Sequence, residues 1–221
     1  MIIIGLTDVH GSIKAIERMN DIINNADVVL FVGDITNFGR EKETARVVSP
    51  VMEKAGKVLA VSGNCDYQEV DNYLDTCGIN LHGKGETVDG IGFVGLGGSL
   101  ITPFNTPNEL TEDEIENFLN QGYDRIPMDL PMVLVSHQPP FKTNCDRLSS
   151  GDHVGSEAVR RFIEKNNPLV CFTGHIHEST GMDQIGDTYI INPGLLANGQ
   201  YAYAKVGAGV EEIEIRRVMA S

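Results

Sequence analysis

Short apolar runs recur along the chain, and polar residues gather where they stop. IIIGL (2–6), VVLFV (28–32), KVLAV (57–61), MVLVS (132–136), LVCFT (169–173) and TYIIN (188–192) are short and almost continuously apolar, the pattern of buried strands. YAYAKV and VEEIEI near the end predict two more strands. ETVDGIGFVGLGG (86–98) predicts a tight pair turning at Asp89-Gly90. Between the early strands the spacing becomes helical. Ile13, Ile16, Met19 and Ile23 share one face, with Ser12 placed to cap it. Ile115, Phe118 and Leu119 share another, and Val159, Phe162 and Ile163 a third, after Ser156. Residues 99–128, rich in Pro, Asn and Thr, predict a loop and a short helix near a site.

Strand and helix alternate in the first half, and the end is strand-rich. That order predicts an α/β fold: parallel βαβ units running into antiparallel strands, in a mixed sheet or a pair of sheets with helices outside. The 221 residues show no repeat, linker or low-complexity segment, so a single domain over 1–221 is expected.

Composition changes this picture little. Hydrophobic content is 41% and charged content 22%, ordinary for a globular protein. Charge changes it more. A net −14, from 31 acidic and 17 basic residues, repels nucleic acid and anionic membrane and argues against a nucleic-acid scaffold or a nuclease with a basic track. A phosphate ester remains compatible, because bound divalent cations reverse the field within one cleft. No apolar run approaches the ~20 residues of a membrane span, and the opening MIII is too short for a signal peptide. The four cysteines, Cys65, Cys77, Cys145 and Cys171, form no CxxC pair, so a cytoplasmic chain with reduced thiols is expected.

Candidate chemistry lies at the strand ends. IIIGL is followed by Thr7-Asp8-Val9-His10-Gly11, VVLFV by Gly33-Asp34, and KVLAV by Ser62-Gly63-Asn64-Cys65-Asp66. MVLVS is followed by His137, and LVCFT by Gly174-His175-Ile176-His177. Ligands of α/β sheets collect at the carboxyl ends of strands, so these residues should converge. Asp8 and His10 are two apart, as are His175 and His177, and in extended chain such pairs point the same way. Two aspartates, four histidines and an asparagine are too many donors for one tetrahedral ion. If one aspartate bridges two ions, each gains four protein ligands and there is room for a shared water that ionises near neutral pH. Mixed imidazole and carboxylate donors favour Mn, Fe, Co, Ni or Zn over Ca or Mg. Singly, each residue has a bland explanation. An Asp after a strand is ordinarily a turn residue, a lone His82 or His137 a surface or satisfied core residue, and Cys171, inside a strand, core. The ordered conjunction carries the reading.

In that order the motifs resemble the calcineurin-like metallophosphoesterase superfamily, from Asp8 to about Gly194. The resemblance implies a four-layer αββα sandwich with two mixed β-sheets. It implies that Asp8, His10, Asp34 and His177 bind one metal, and that Asp34 bridges to a second held by Asn64, His137 and His175. Asn192-Pro193-Gly194 matches a structural turn of the family. Small size, and the run HVGSEAVRRFIEKNNP…GHIHES, resemble the compact prokaryotic phosphodiesterase branch, which implies two divalent transition-metal ions, Mn favoured, and a small phosphodiester substrate. The family positions touching catalysis fall on His10, Asn64, Cys65 and Asp66. Where the wider family carries GNH, this chain carries Gly63-Asn64-Cys65, and that branch can also carry Cys there. The exchange argues against a phosphomonoesterase more than against catalysis. The rival of another class is a non-catalytic interaction scaffold on the same fold, which the complete ligand set disfavours. In the loop 138–156, Lys142, Arg147 and His153 could face the cleft, with Arg147 and His153 the candidate substrate-binding residues.

Overall fold

Every residue of VVLFV at 28–32 is buried, because this strand is covered on both faces. The computed structural model describes residues 1–218. In chain order its first part contains β1 (Ile2–Leu6), α1 (Ile13–Arg18), α2 (Asn20–Asn24), β2 (Val28–Val32), α3 (Glu41–Met52), β3 (Lys57–Val61), α4 (Gln68–Thr76), β4 (Gly85–Val88) and β5 (Ile91–Leu96). There follow β6 (Ser99–Leu100), β7 (Glu109–Leu110), α5 (Glu112–Tyr123), β8 (Met132–Ser136), α6 (Glu157–Asn166), β9 (Val170–Phe172), β10 (Gly181–Ile185), β11 (Thr188–Asn192), β12 (Gln200–Val206) and β13 (Val210–Arg217).

Two large mixed sheets result, in the orders β13-β12-β1-β2-β3 and β10-β11-β9-β8-β5-β4. β1, β2 and β3 are parallel, as are β5, β8, β9 and β11, so their carboxyl ends lie along one edge of each sheet. Period-two alternation divides the core into three layers. Val29 and Phe31 of β2 pack with Val47 and Val51 of α3. Val28, Leu30 and Val32 face Val133, Val135 and Phe172 between the sheets. Leu134 and Cys171 point the other way, to Ile115 of α5 and Val159 of α6. The fold is therefore the expected αββα sandwich, and Cys171 is core.

Local expectations hold with three amendments. Asp89 and Gly90 both adopt positive φ (46° and 79°), the conformation a two-residue hairpin requires. The Ser156 hydroxyl accepts from Val159 N at 3.1 Å, capping α6. Ser12 makes no such cap, and the first helical stretch breaks at Met19 into two short helices that still bury Ile16, Met19 and Ile23. The loop at 99–128 holds the short parallel pair β6–β7 and a 12-residue α5. His82 is half-buried and hydrogen-bonded. It accepts from Gly97 N at 2.9 Å and packs on Phe118, and burial pushes its pKa down to about 4.

Candidate metal centre

Asp8, His10, Asp34 and His175 all have positive φ, between 46° and 67°. Such backbone costs on the order of 1–3 kcal/mol per residue and persists where surrounding structure enforces it. Here the enforcement is mutual. Asp8 N donates to Gly33 O (3.2 Å) and His10 N to Asp34 O (2.9 Å), tying the loop after β1 to the loop after β2. Gly33 and Gly63 let the loops close up: a Cβ on Gly33 would overlap the His137 ring, and one on Gly63 would overlap the Asp34 carboxylate.

The first donor set is compact. One ligand atom each from Asp8, His10, Asp34 and His177 lies within 4.8 Å of the others. His177 Nε2 is 3.0 Å from Asp8 Oδ1, and His10 Nε2 is 3.4 Å from His177 Nε2 and 3.7 Å from Asp34 Oδ2. Tetrahedral coordination with metal–nitrogen bonds of about 2.0–2.1 Å has an edge of about 3.3–3.4 Å, the separation of the two imidazole nitrogens. His10 Nδ1 is the buried side-chain atom left without a hydrogen-bond partner among the described residues. Burial alone would raise the Asp8 carboxyl. The His177 hydrogen bond, with the nearby His137 and His177 rings, brings it down to about 2, so it is the charged donor an ion needs.

A second set lies on the other side of Asp34. His137, fully buried, places Nδ1 2.9 Å from Val32 O. A carbonyl only accepts, so Nδ1 carries the proton and the Nε2 lone pair points away from it. That lone pair faces Asn64 Oδ1 at 3.1 Å and Asp34 Oδ1 at 3.5 Å. Three acceptors crowd together there, an arrangement a cation would relieve. The His175 ring stands edge-on to His137, centroids 5.3 Å apart. Burial, then the neighbouring His137 ring, pushes His175 down to about 4, which keeps it in the neutral, ligating form. The first donor set has the compactness a metal ion requires, and Asp34 turns one carboxylate oxygen toward His10 and the other toward His137.

Two expected catalytic residues take different parts. The Cys65 amide donates to Asp34 Oδ1 at 2.8 Å, and its Sγ lies 3.7 Å from Asn64 Nδ2. Burial, and next the Asp34 charge, pushes its thiol far above the ordinary range, so Cys65 is a neutral thiol. The Asp66 carboxylate is fully buried and collects four donors: Ile35 N (3.0 Å), Thr36 N (2.9 Å), Thr36 Oγ1 (2.7 Å) and Gly63 N (2.8 Å). Burial and the Asp34 charge push it up to about 6 against those donors. A catalytic role for Asp66 is not carried by these surroundings. With both oxygens engaged by protein, it is a positioning residue that clamps the loops after β2 and β3.

Arg147 and His153, expected to bind substrate, do not line the cavity beside the centre. His153 Nδ1 pairs with buried Asp146 Oδ1 at 2.7 Å, and Arg147 accepts at its backbone oxygen from the Ser179 hydroxyl while its side chain is exposed. Lys142 is exposed as well, its ammonium over the Phe141 ring. The cavity beside His175 and His177 is lined from this loop by Leu148 and Val154. Isolated Leu and Val in a polar loop leave no signal of a cavity in the sequence.

Comparison with known proteins agrees with this geometry. The family model described as calcineurin-like phosphoesterase matches residues 1–179. An uncharacterised Methanocaldococcus jannaschii protein, MJ1162, is 41% identical over 198 residues, 87% of this chain and 88% of its own. Phosphodiesterase YfcE of Escherichia coli is 37% identical over 76 residues, 31% of this chain and 41% of its own. The crystal structure of TT1561 of Thermus thermophilus superposes with a TM-score of 0.71 at 17% identity, over 99% of both chains.

Proposed function

The chain belongs to the calcineurin-like phosphoesterases, and from that membership we propose that it is a dinuclear metal-dependent phosphodiesterase that hydrolyses a small phosphodiester. Asp8, His10, Asp34 and His177 would hold one divalent ion, and Asp34, Asn64, His137 and His175 the other. Bound there, two such ions supply positive charge to the phosphoryl oxygens and a water acidic enough to attack phosphorus near neutral pH. Mixed imidazole and carboxylate donors suit Mn, Fe, Co, Ni or Zn, and manganese is taken as the first ion to test.

The observation that carries the reading is Asp34, whose Oδ2 faces His10 and whose Oδ1 faces His137. The chain's own part is preorganisation. Asp66 fixes the loops that carry Asp34 and Asn64, and the Val32 carbonyl fixes the His137 tautomer. Diester preference rests on Cys65. A neutral thiol donates a hydrogen bond poorly and adds no charge, so a dianionic monoester with a basic leaving group gains little from it. The partial match to a relative named a phosphodiesterase points the same way.

The test is turnover of bis(p-nitrophenyl) phosphate and p-nitrophenyl phosphate by protein loaded with manganese. Diester hydrolysis at the higher kcat/KM is expected. Two bound ions per chain with neither ester cleaved would overturn the proposal in favour of a scaffold.

A further inference from the structure

Next to the metal centre lies a cavity of about 520 Å³, a volume typical of small-molecule sites. His175 and His177 line it, and His177 also belongs to the compact donor set. Its apolar lining comes from Leu100, Ile101 and Phe104 of one loop, Leu148 and Val154 of another, and Ile176 between the two histidines in sequence. Glu178 is the one carboxylate in the lining, which, among the described residues, includes no lysine or arginine.

The walls come from loops far apart in sequence, and Gln138 joins them. Its Oε1 accepts from Leu100 N at 2.9 Å, and its Nε2 donates to Val154 O at 2.9 Å. Gln138 follows His137 directly, so one short segment sets both a metal donor and the cavity width. The loop carrying Ile101 and Phe104 is also tied down. Glu109 Oε1 accepts from Thr102 Oγ1 (2.6 Å), Thr106 Oγ1 (2.6 Å) and Thr106 N (2.8 Å). Yet Ile101 is 71% exposed and Phe104 81% exposed. Two large apolar side chains held in water at the mouth of a cavity are a costly surface unless something covers them.

We propose that this cavity seats an uncharged apolar group of the substrate, about the size of an aromatic ring, while the phosphoryl group lies at the metal centre, with Ile101 and Phe104 as specificity-determining residues. The inference rests on the phosphodiesterase reading and narrows its substrate class. A nucleotide, a sugar phosphate or a second phosphate would place charge or hydroxyls against a lining with no cation and few free polar groups. A ring buried there removes its own surface and that of Phe104 from water, worth a factor of about ten or more in affinity.

Phosphonates isolate the effect, because their carbon–phosphorus bond is not cleaved and each carries a single organic group. Phenylphosphonate and methylphosphonate are titrated calorimetrically into manganese-loaded protein. The phenyl compound is expected to bind about tenfold more tightly or better. In the double variant Ile101→Ser, Phe104→Ser, both positions being exposed, the ratio should fall to within about threefold through weaker binding of phenylphosphonate. A wild-type ratio within about threefold, failure of phenylphosphonate to bind, or a ratio unmoved in the variant would overturn the proposal. Diester turnover by the same preparation separates it from the reading beneath. Phenyl selectivity without diester turnover would retain the cavity and discard the phosphodiesterase. Diester turnover without phenyl selectivity would do the reverse.

Discussion

The Nε2 atoms of His10 and His177 lie 3.4 Å apart, brought together from the loops after β1 and β9. Two neutral imidazole nitrogens that close repel one another unless a proton or a cation stands between them. Asp8 and Asp34 complete the group from below, and Asp34 reaches past it to His137. Asp34 is thus common to both sides of this centre.

Removing Asp34 should hurt more than removing any ligand that serves one side only. Asp34→Ala is expected to lower both bound metals and to reduce kcat/KM at least about tenfold beyond His177→Ala, since a shared ligand stabilises two sites. Metal analysis of dialysed protein beside steady-state kinetics checks it. Retention of one full equivalent in Asp34→Ala would contradict the sharing.

Cys65 should prove chemically dispensable. Cys65→Ser keeps a neutral, weakly donating side chain, so kcat/KM on an aryl diester should change by less than about threefold. Cys65→His introduces an imidazole and should raise the monoester-to-diester ratio. Both are read from initial rates on paired p-nitrophenyl esters. Loss of turnover in Cys65→Ser with both ions bound would show a thiol engaged in the reaction.

Asp66 should behave as a structural clamp. Asp66→Ala leaves three backbone N–H groups and the Thr36 hydroxyl without their acceptor, in a fully buried place. At about 1–3 kcal/mol for each unsatisfied group, partly relieved by water, a loss of at least about 3 kcal/mol is expected. Urea denaturation measures it. A loss below about 1 kcal/mol together with abolished turnover would restore a direct catalytic role.

Asp71 gives the chain a pH dependence away from the metal centre. It is buried on α4, where it accepts from Ser62 Oγ at 3.0 Å, and burial raises its pKa to about 6. A raised carboxyl holds its proton more tightly in the folded state. Its contribution is therefore fully present below the unfolded value near 4 and is lost as pH rises through about 6. Asp71→Asn, which mimics the protonated form, should be more stable than the parent at pH 8 by up to about 3 kcal/mol, and the difference should vanish near pH 4. Denaturation at both pH values decides. An equal difference at each would mean Asp71 is ionised at no cost.

Much of this centre was legible in the sequence because its residues stand just past strands whose apolar runs are unmistakable. Asp8, Asp34, Asn64, His137 and His175 each follow such a run within a few residues, and parallel strands bring those positions to one edge. Other features left weaker traces. β10 reads GMDQI, polar enough to pass for a loop, and pairs only at the sheet edge. The break at Met19 interrupts a helical face that the apolar spacing carries straight through. Thr44, Val47, Val48 and Val51 of α3 do show helical spacing in the sequence. Asp66 stood among candidate reactive groups because adjacency in sequence does not reveal that its carboxylate turns away into four donors. The apolar cavity left no trace, since its lining comes from separate loops, of which Gln138 ties Leu100 to Val154 through two hydrogen bonds that sequence spacing does not show.

The most direct measurement of the account is anomalous scattering from crystals of manganese-loaded protein. Two peaks are predicted, separated by about 3.5–4 Å and lying on opposite sides of the Asp34 carboxylate. One would fall among Asp8, His10 and His177, the other among Asn64, His137 and His175. A single peak at full reconstitution, or peaks away from Asp34, would contradict it.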